Sequence, residues 1–385
     1  MKKLIKNKKA LPLLLNALIL FCLASCGEKT EDVPAQELPS ATTEALTPTK
    51  APASPDKEAV TDTPPAENMV RSRLTNEWVD KDVSENRPIA VMIPNEANAI
   101  PQYSLSHASI LYEAPVEGSM TRLMAIYEDW TDIKKIGNVR STRLYYMPWA
   151  FEWDAVICHV HGPFFIDETL ADPHTQTIDY LSATGSEAFY RDDSKRSPHN
   201  VYTSGELLKK AFDADGYEAA YRNEISYRDH FIFASPRNPN TLDDYGNSRT
   251  AAYIDMTNAY PLTRCYFEYN DKDGLYYRYQ HLSGGEDGPH IDGENGEQLK
   301  FANVIVQTFD ITEALPGSEY LYMNDIDSNQ NGWYFTKGKG IPVTWEKTDD
   351  YGATKFYDLD GNEIVLNTGK TMICVIDNKT DVSFS

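Results

Sequence analysis

Apolar residues follow four patterns along the chain. Ala10–Ala24 is apolar throughout except for Asn16. From Gly27 to about Asn76, Pro, Thr, Ala, Glu and Ser dominate, and aromatic or branched apolar side chains are nearly missing. Residues 88–93 then form a continuous apolar run, the pattern of a strand buried on both faces. Ser109–Val116, Thr121–Glu128 and Ala155–His161 read as further strands, with a turn at Glu117-Gly118-Ser119. Between the strands, Arg143–Phe151 and Gly205–Asp213 carry helical spacing, and this mixture predicts an α/β domain over 76–228. The fourth pattern fills 229–385. There, aromatic-rich runs alternate across Asp-Gly turns: Cys265–Tyr269 and Leu275–Tyr279 flank Asp273-Gly274, and Thr354–Tyr357 and Glu363–Leu366 flank Asp360-Gly361. Asp-Gly between β-rich runs signals a hairpin. With Asn303–Phe309 and Thr371–Ile376 as further strands, the second domain is predicted to be mainly β. The fold class is therefore α+β overall, an α/β domain followed by a β-rich one.

The first pattern is an address. Lys2, Lys3, Lys6, Lys8 and Lys9 precede the apolar run, which closes on Leu23-Ala24-Ser25-Cys26-Gly27. A basic start, a short apolar core and this ending form a bacterial lipoprotein signal over 1–25, with Cys26 as the lipidated residue. The run is too short for a comfortable membrane span. An anchor of two or more acyl chains on Cys26 would hold the protein at the outer face of the cytoplasmic membrane. Residues 26–75 cannot bury enough surface to fold and read as a disordered tether, with a reach on the order of 100 Å.

Charge narrows the partners. The formal charge is −22, and the first 26 residues hold five lysines and no acid, so the remainder is more acidic still. Such a surface repels phosphate backbones, and nucleic acid is not expected as a partner. Beyond Cys26, three cysteines remain: Cys158, Cys265 and Cys374. An odd, sparse set is no disulfide framework, and Cys158 and Cys374 fall in apolar strands as small buried hydrophobes. There is no nucleophile elbow, P-loop, zincin motif or dinucleotide fingerprint, so no cofactor is expected.

Candidate chemistry gathers between Glu113 and Gly162, in a run holding Glu113, Glu117, Arg122, Arg140, Ser141, Arg143, His159 and His161. Ser141 or Thr142 is a plausible N-cap for the helix that follows, which would set Arg140 and Arg143 beside an anion-attracting helix start. Arg122 opens a strand and could face the same place. Two readings compete: a pocket for a phosphate or carboxylate, or internal ion pairs with Glu113, Glu117 or Glu128. His159 and His161 stand one strand step apart, on one face, where a strand ends. They could serve proton transfer or hold zinc, but no carboxylate or cysteine ligand pattern accompanies them, so no metal is expected. His199 and Asn200 lie in a loop before a helix whose start reads as a capping box, Thr203 to Glu206. Asp327–Gly332 begins like a calcium loop but has Gly338 where the bidentate acid belongs, and reads as a polar turn.

These motifs together resemble the YerB-like lipoproteins of Gram-positive bacteria. The resemblance rests on Tyr112-Glu113, Val116-Glu117-Gly118, Thr121-Arg122, Val139-Arg140-Ser141, Arg143, His159, Gly162 and Pro198-His199-Asn200. In the second domain it rests on Trp345, Lys347, Asp358, Gly361, Leu366-Asn367 and Gly369-Lys370-Thr371. It covers the whole chain after the tether. Ile100, Ser119 and Ser197 depart from the residues usual there, namely arginine, glycine and alanine. The resemblance implies two domains of unknown function and carries no established activity or catalytic residue. Three functions follow as expectations. The first is binding of an anionic cell-wall or glycan ligand by the Arg/His cluster. The second is a hydrolase or transferase acting on envelope polymers with a histidine base. The third is a protein-recruiting scaffold. Oligomeric state is not legible.

Overall fold

The computed structural model describes residues 63–222, 230–324 and 326–385. The signal, Cys26 and most of the tether lie outside these residues, as does the expected domain boundary at 228/229. Regular structure is present within the segment read as tether. Met69–Arg71, read as tether, pairs with Trp78–Asp80, and Ser72, Leu74 and Thr75 are buried. One apolar anchor, Leu74, suffices because the Ser72 hydroxyl accepts from the amides of Leu74 and Thr75 and donates to Glu128.

An eleven-stranded sheet spans the molecule. The first half of the chain supplies β1 (Ile89–Pro94), β2 (Ile110–Pro115), β3 (Thr121–Tyr127), β4 (Val156–His159) and β5 (Thr177–Asp179). The second half supplies β6 (Arg249–Thr250), β7 (Asn303–Phe309), β8 (Asp327–Thr336), β9 (Lys339–Lys347), β10 (Lys355–Tyr357) and β11 (Thr371–Asp377). Their order is β6-β9-β8-β7-β11-β2-β3-β1-β4-β5, with β10 on β9. The halves meet where β11 runs parallel to β2, from Thr371 opposite Ile110 to Cys374 opposite Glu113. The sheet is thus common to both predicted domains.

Continuous apolar strands demand cover on both faces, and both are covered. Ile89, Val91 and Ile93 of β1 point into one core; Ala90 and Met92 point into the other. The first core is closed by helix α2 (Gly205–Ala214), through Leu208 and Phe212, and by a second, antiparallel sheet, through Ile254, Phe267 and Tyr276. The second core is closed by helix α1 (Tyr146–Phe151), through Tyr146 and Trp149. Cys158, Cys265 and Cys374 are free and buried. The molecule is strand-rich, and described residues after 230 contain no helix.

Several local expectations shift. Helix α1 starts at Tyr146, not Arg143, and has no side-chain cap. Ser141 is therefore not its N-cap, because residues 140–142 are held extended between strand ends. Helix α2 is capped by Ser204, whose hydroxyl accepts from the Leu207 amide at 3.3 Å, rather than by Thr203. The Thr203 hydroxyl instead donates to the Ala188 carbonyl at 2.7 Å. Asp327–Gly332 is no turn; it opens β8 with a register shift between Asp327 and Gln330, drawn into the ladder by β9. The Asp360-Gly361 hairpin closes only through a Tyr357–Glu363 bridge, and Val365–Leu366 pairs in parallel with Ile232–Phe233.

Candidate functional site

The central strands deliver their ends to one rim. Strands β1 and β4 are parallel, so Pro94 and His159 finish on the same side. Strand β3 is antiparallel to β1 and begins there, with Arg122 opposite Pro94. The segment after Gly137 inserts between these ends. The Arg140 amide donates to the Met92 carbonyl at 2.8 Å, and the Arg140 carbonyl accepts from Val160 at 3.1 Å. C-terminal ends of parallel strands are where open sheets place ligands.

Arg122 is 2% exposed. Its Nη1 donates to the Ser141 carbonyl at 2.6 Å, but its Nε is buried without a partner, and no described carboxylate forms an ion pair with it. Burial, with Arg143 and Arg140 nearby, pushes its pKa down to about 10, so it stays charged at neutral pH. Arg140 is half-buried, and its Nε also lacks a partner. Burial lowers its pKa, and Glu96 opposes that shift. The Glu96 Oε1 lies 3.6 Å from His199 Nε2, and its Oε2 is buried with no donor. The His199 Nδ1 is likewise unpartnered. Burial lowers the His199 pKa; Glu96 opposes this, while Arg140, Lys195 and Arg122 add to it. Arg122, Arg140, Glu96, His199 and Lys195 therefore lie close enough to act on one another's charge.

Arg143 is differently placed. Its Nε and Nη2 meet both Glu117 oxygens at 2.6 and 2.5 Å, and its Nη1 donates to the Thr142 carbonyl at 2.6 Å. Burial alone would lower its pKa; Glu117 outweighs it and raises it. Bidentate pairing of this kind leaves little capacity for an outside anion. Glu113 is fully buried and faces away from the arginines expected for it. It accepts from Asn95 and Thr121 at 2.8 and 2.7 Å and pairs with Arg278 at 2.7 Å. Arg278 also donates to His290 and Gln280, and His290 continues to Gln102 at 2.9 Å.

The two strand-end histidines do not converge. His159 is fully buried, and its Nδ1 meets the His161 carbonyl at 3.0 Å. That contact makes Nδ1 the protonated nitrogen. Burial lowers the His159 pKa, with Asp179 opposing. His161 has a left-handed backbone, φ +48°, which breaks the strand alternation, and its ring turns to Asp179 at 2.8 Å. Among the described residues no three His, Cys, Asp or Glu side chains are placed to hold a metal. Asn200 is buried and accepts from Arg191 at 2.8 Å.

Of the predicted residues, the fold thus gathers Arg122, Arg140, His199 and the Ser141 carbonyl. Glu117 and Arg143 flank them as a closed pair; Glu113, His161 and Asn200 are occupied elsewhere, and His159 is held through Nδ1 while its buried Nε2 has no partner. Glu96 was missed. Its signal was its position, two residues beyond an apolar strand, at the end where ligands gather. Clefts among the described residues lie apart from this rim. One, about 280 Å³, contains Lys300 and Lys370. Another, about 470 Å³ and largely apolar, contains Leu144, Phe165 and Tyr322. Neither is lined by Arg122, Arg140 or His199.

Comparison with known proteins places these residues in a family. Residues 74–218 match the domain described as Protein of unknown function (DUF3048) N-terminal domain, and 254–373 match its C-terminal domain. "Putative lipoprotein YerB" of Bacillus subtilis (strain 168) is 26% identical over 333 residues, covering 86% of this chain and 92% of the relative. The crystal structure of YerB protein from Bacillus subtilis shares the fold, with a TM-score of 0.69 at 23% identity, over 82% of this chain and 99% of that one. The chain belongs to the YerB-like family of bacterial lipoproteins, built of two domains of unknown function.

Proposed function

We propose that this lipoprotein, anchored through Cys26 at the outer face of the cytoplasmic membrane, binds an anionic cell-envelope ligand at the Arg122, Arg140 and His199 rim. One observation carries the reading. Arg122 is a buried cation whose Nε has no acceptor and which has no described carboxylate in an ion pair. Removing a charge from water costs several kcal/mol unless a counter-charge repays it. Every other strongly buried arginine of the described chain meets a carboxylate: Arg87 and Arg222 share Asp154, and Arg278 holds Glu113. An arriving anion would supply what Arg122 lacks, and half-buried Arg140 and His199 leave the rim accessible from solvent.

The anchor rests on the sequence of 1–26 and on the lipoprotein name of the relative. Metabolic labelling with a lipid precursor tests it: label should enter the wild type and not Cys26→Ala, and equal labelling of both would refute it. For the rim, inorganic phosphate titrated into a soluble chain beginning at Gly27 should shift the arginine side-chain NMR signals. Arg122→Met should lose that response. A wild type that ignores phosphate, sulfate and muropeptides alike would sink the proposal.

A further inference from the structure

We infer that Glu96 sets the specificity of this rim, selecting an anion that carries a hydroxyl or amide N–H beside its charged group. The inference rests on the anion-binding reading above and adds a residue and a ligand class to it.

A carboxylate has no place in a site built for a bare anion, which it would repel. Glu96 nevertheless stands within the arginine group, its Oε2 buried and without a donor. It is not spent on His199, since 3.6 Å is too long for a hydrogen bond. An acceptor in that position recognises a donor. Arg122 Nε, Arg140 Nε and His199 Nδ1 are the complementary unfilled atoms on the basic side.

Glu117 neutralises Arg143. Two guanidinium groups and the nearby Lys195 ammonium remain against the one carboxylate of Glu96, so the rim keeps a positive charge that an anion answers. Leaving a buried acceptor unmade costs about 1–3 kcal/mol, or roughly five- to more than a hundredfold in affinity. That is the discrimination expected against an anion with no donor. A carboxylated N-acyl amino sugar and a glycerol phosphodiester share the required chemistry.

The test titrates the soluble chain from Gly27 with four probes: N-acetylmuramic acid against acetate, and bis(glycerol) phosphate against dimethyl phosphate. In the wild type, one donor-bearing probe should exceed its bare partner at least tenfold, and the pair showing it identifies the source. In Glu96→Ala the preference should collapse, and inorganic phosphate should bind more tightly than in the wild type. Glu96→Gln keeps an acceptor without the charge, so it should retain the preference while gaining phosphate affinity. An equal preference in wild type and Glu96→Ala, with binding still dependent on Arg122, overturns the role of Glu96 and leaves the anion site standing. No binding of any probe by the wild type overturns both.

Discussion

A buried guanidinium needs an answer to its charge, and this chain answers its arginines in different ways. Arg143 takes Glu117, 26 residues away. Arg278 takes Glu113 across 165 residues, and Arg122 takes none among the described residues. The charged residue types were legible in the sequence, but their pairing was not. Glu113 and Glu117 both precede Arg122 within nine residues, and strand direction decided which reached what. A buried carboxyl provides a check at this scale. Glu128 holds Ser72 with one oxygen, while its other oxygen has no partner. Burial raises its pKa from 4.5 to about 7, with the Ser72 hydrogen bond opposing. Because the folded pKa lies above the unfolded one, this group's stability contribution is full below pH 4.5 and is lost as pH rises towards 7. The loss amounts to about 3 kcal/mol. Glu128→Gln should therefore be more stable than the wild type at pH 8 and nearly equal to it at pH 4.5, as measured by urea unfolding. A gain that is constant across pH would show that the carboxyl is not the cause.

Elements were more legible than residues. The run at 88–93 became β1, buried along its full length, because a continuous apolar stretch cannot be left with one wet face. Asn303–Phe309 keeps its predicted bounds for the same reason. Element ends were less legible, since backbone partners from distant segments set them. Ser141 failed as a helix cap once Met92 and Val160 claimed the backbone of Arg140, and Ser204 displaced Thr203 because the Thr203 hydroxyl was taken by Ala188. The start of α2 gives two graded predictions. Ser204→Ala removes the hydroxyl cap and should cost about 1 kcal/mol. Gly205→Ala should cost more, because a Cβ there would stand 2.1 Å from the Trp130 carbonyl oxygen and 2.4 Å from that of Thr131. Denaturant midpoints would rank the two, and a milder Gly205→Ala would mean that this turn yields where the packing says it cannot.

At the scale of the molecule, the two family segments share one sheet, joined by β2 against β11 and pinned by the buried Glu113–Arg278 pair. No local pattern announces a parallel pairing between residues more than 260 apart. The composition change near 228 is visible in the sequence; the shared sheet is not. Described residues from both segments should consequently unfold in one calorimetric transition, and two separated transitions would contradict the shared sheet. Glu113→Gln leaves Arg278 buried and uncompensated and should lower stability by about 3–5 kcal/mol. Arg122→Met is expected to do the opposite, since it removes a buried charge that forms no ion pair with a described carboxylate. Its stability and its ligand response are to be measured on the same sample. The melting temperature should equal or exceed that of the wild type, and the response to phosphate and to the donor-bearing anions should be lost. A destabilised Arg122→Met that still binds these anions as the wild type does would contradict anion binding at the rim.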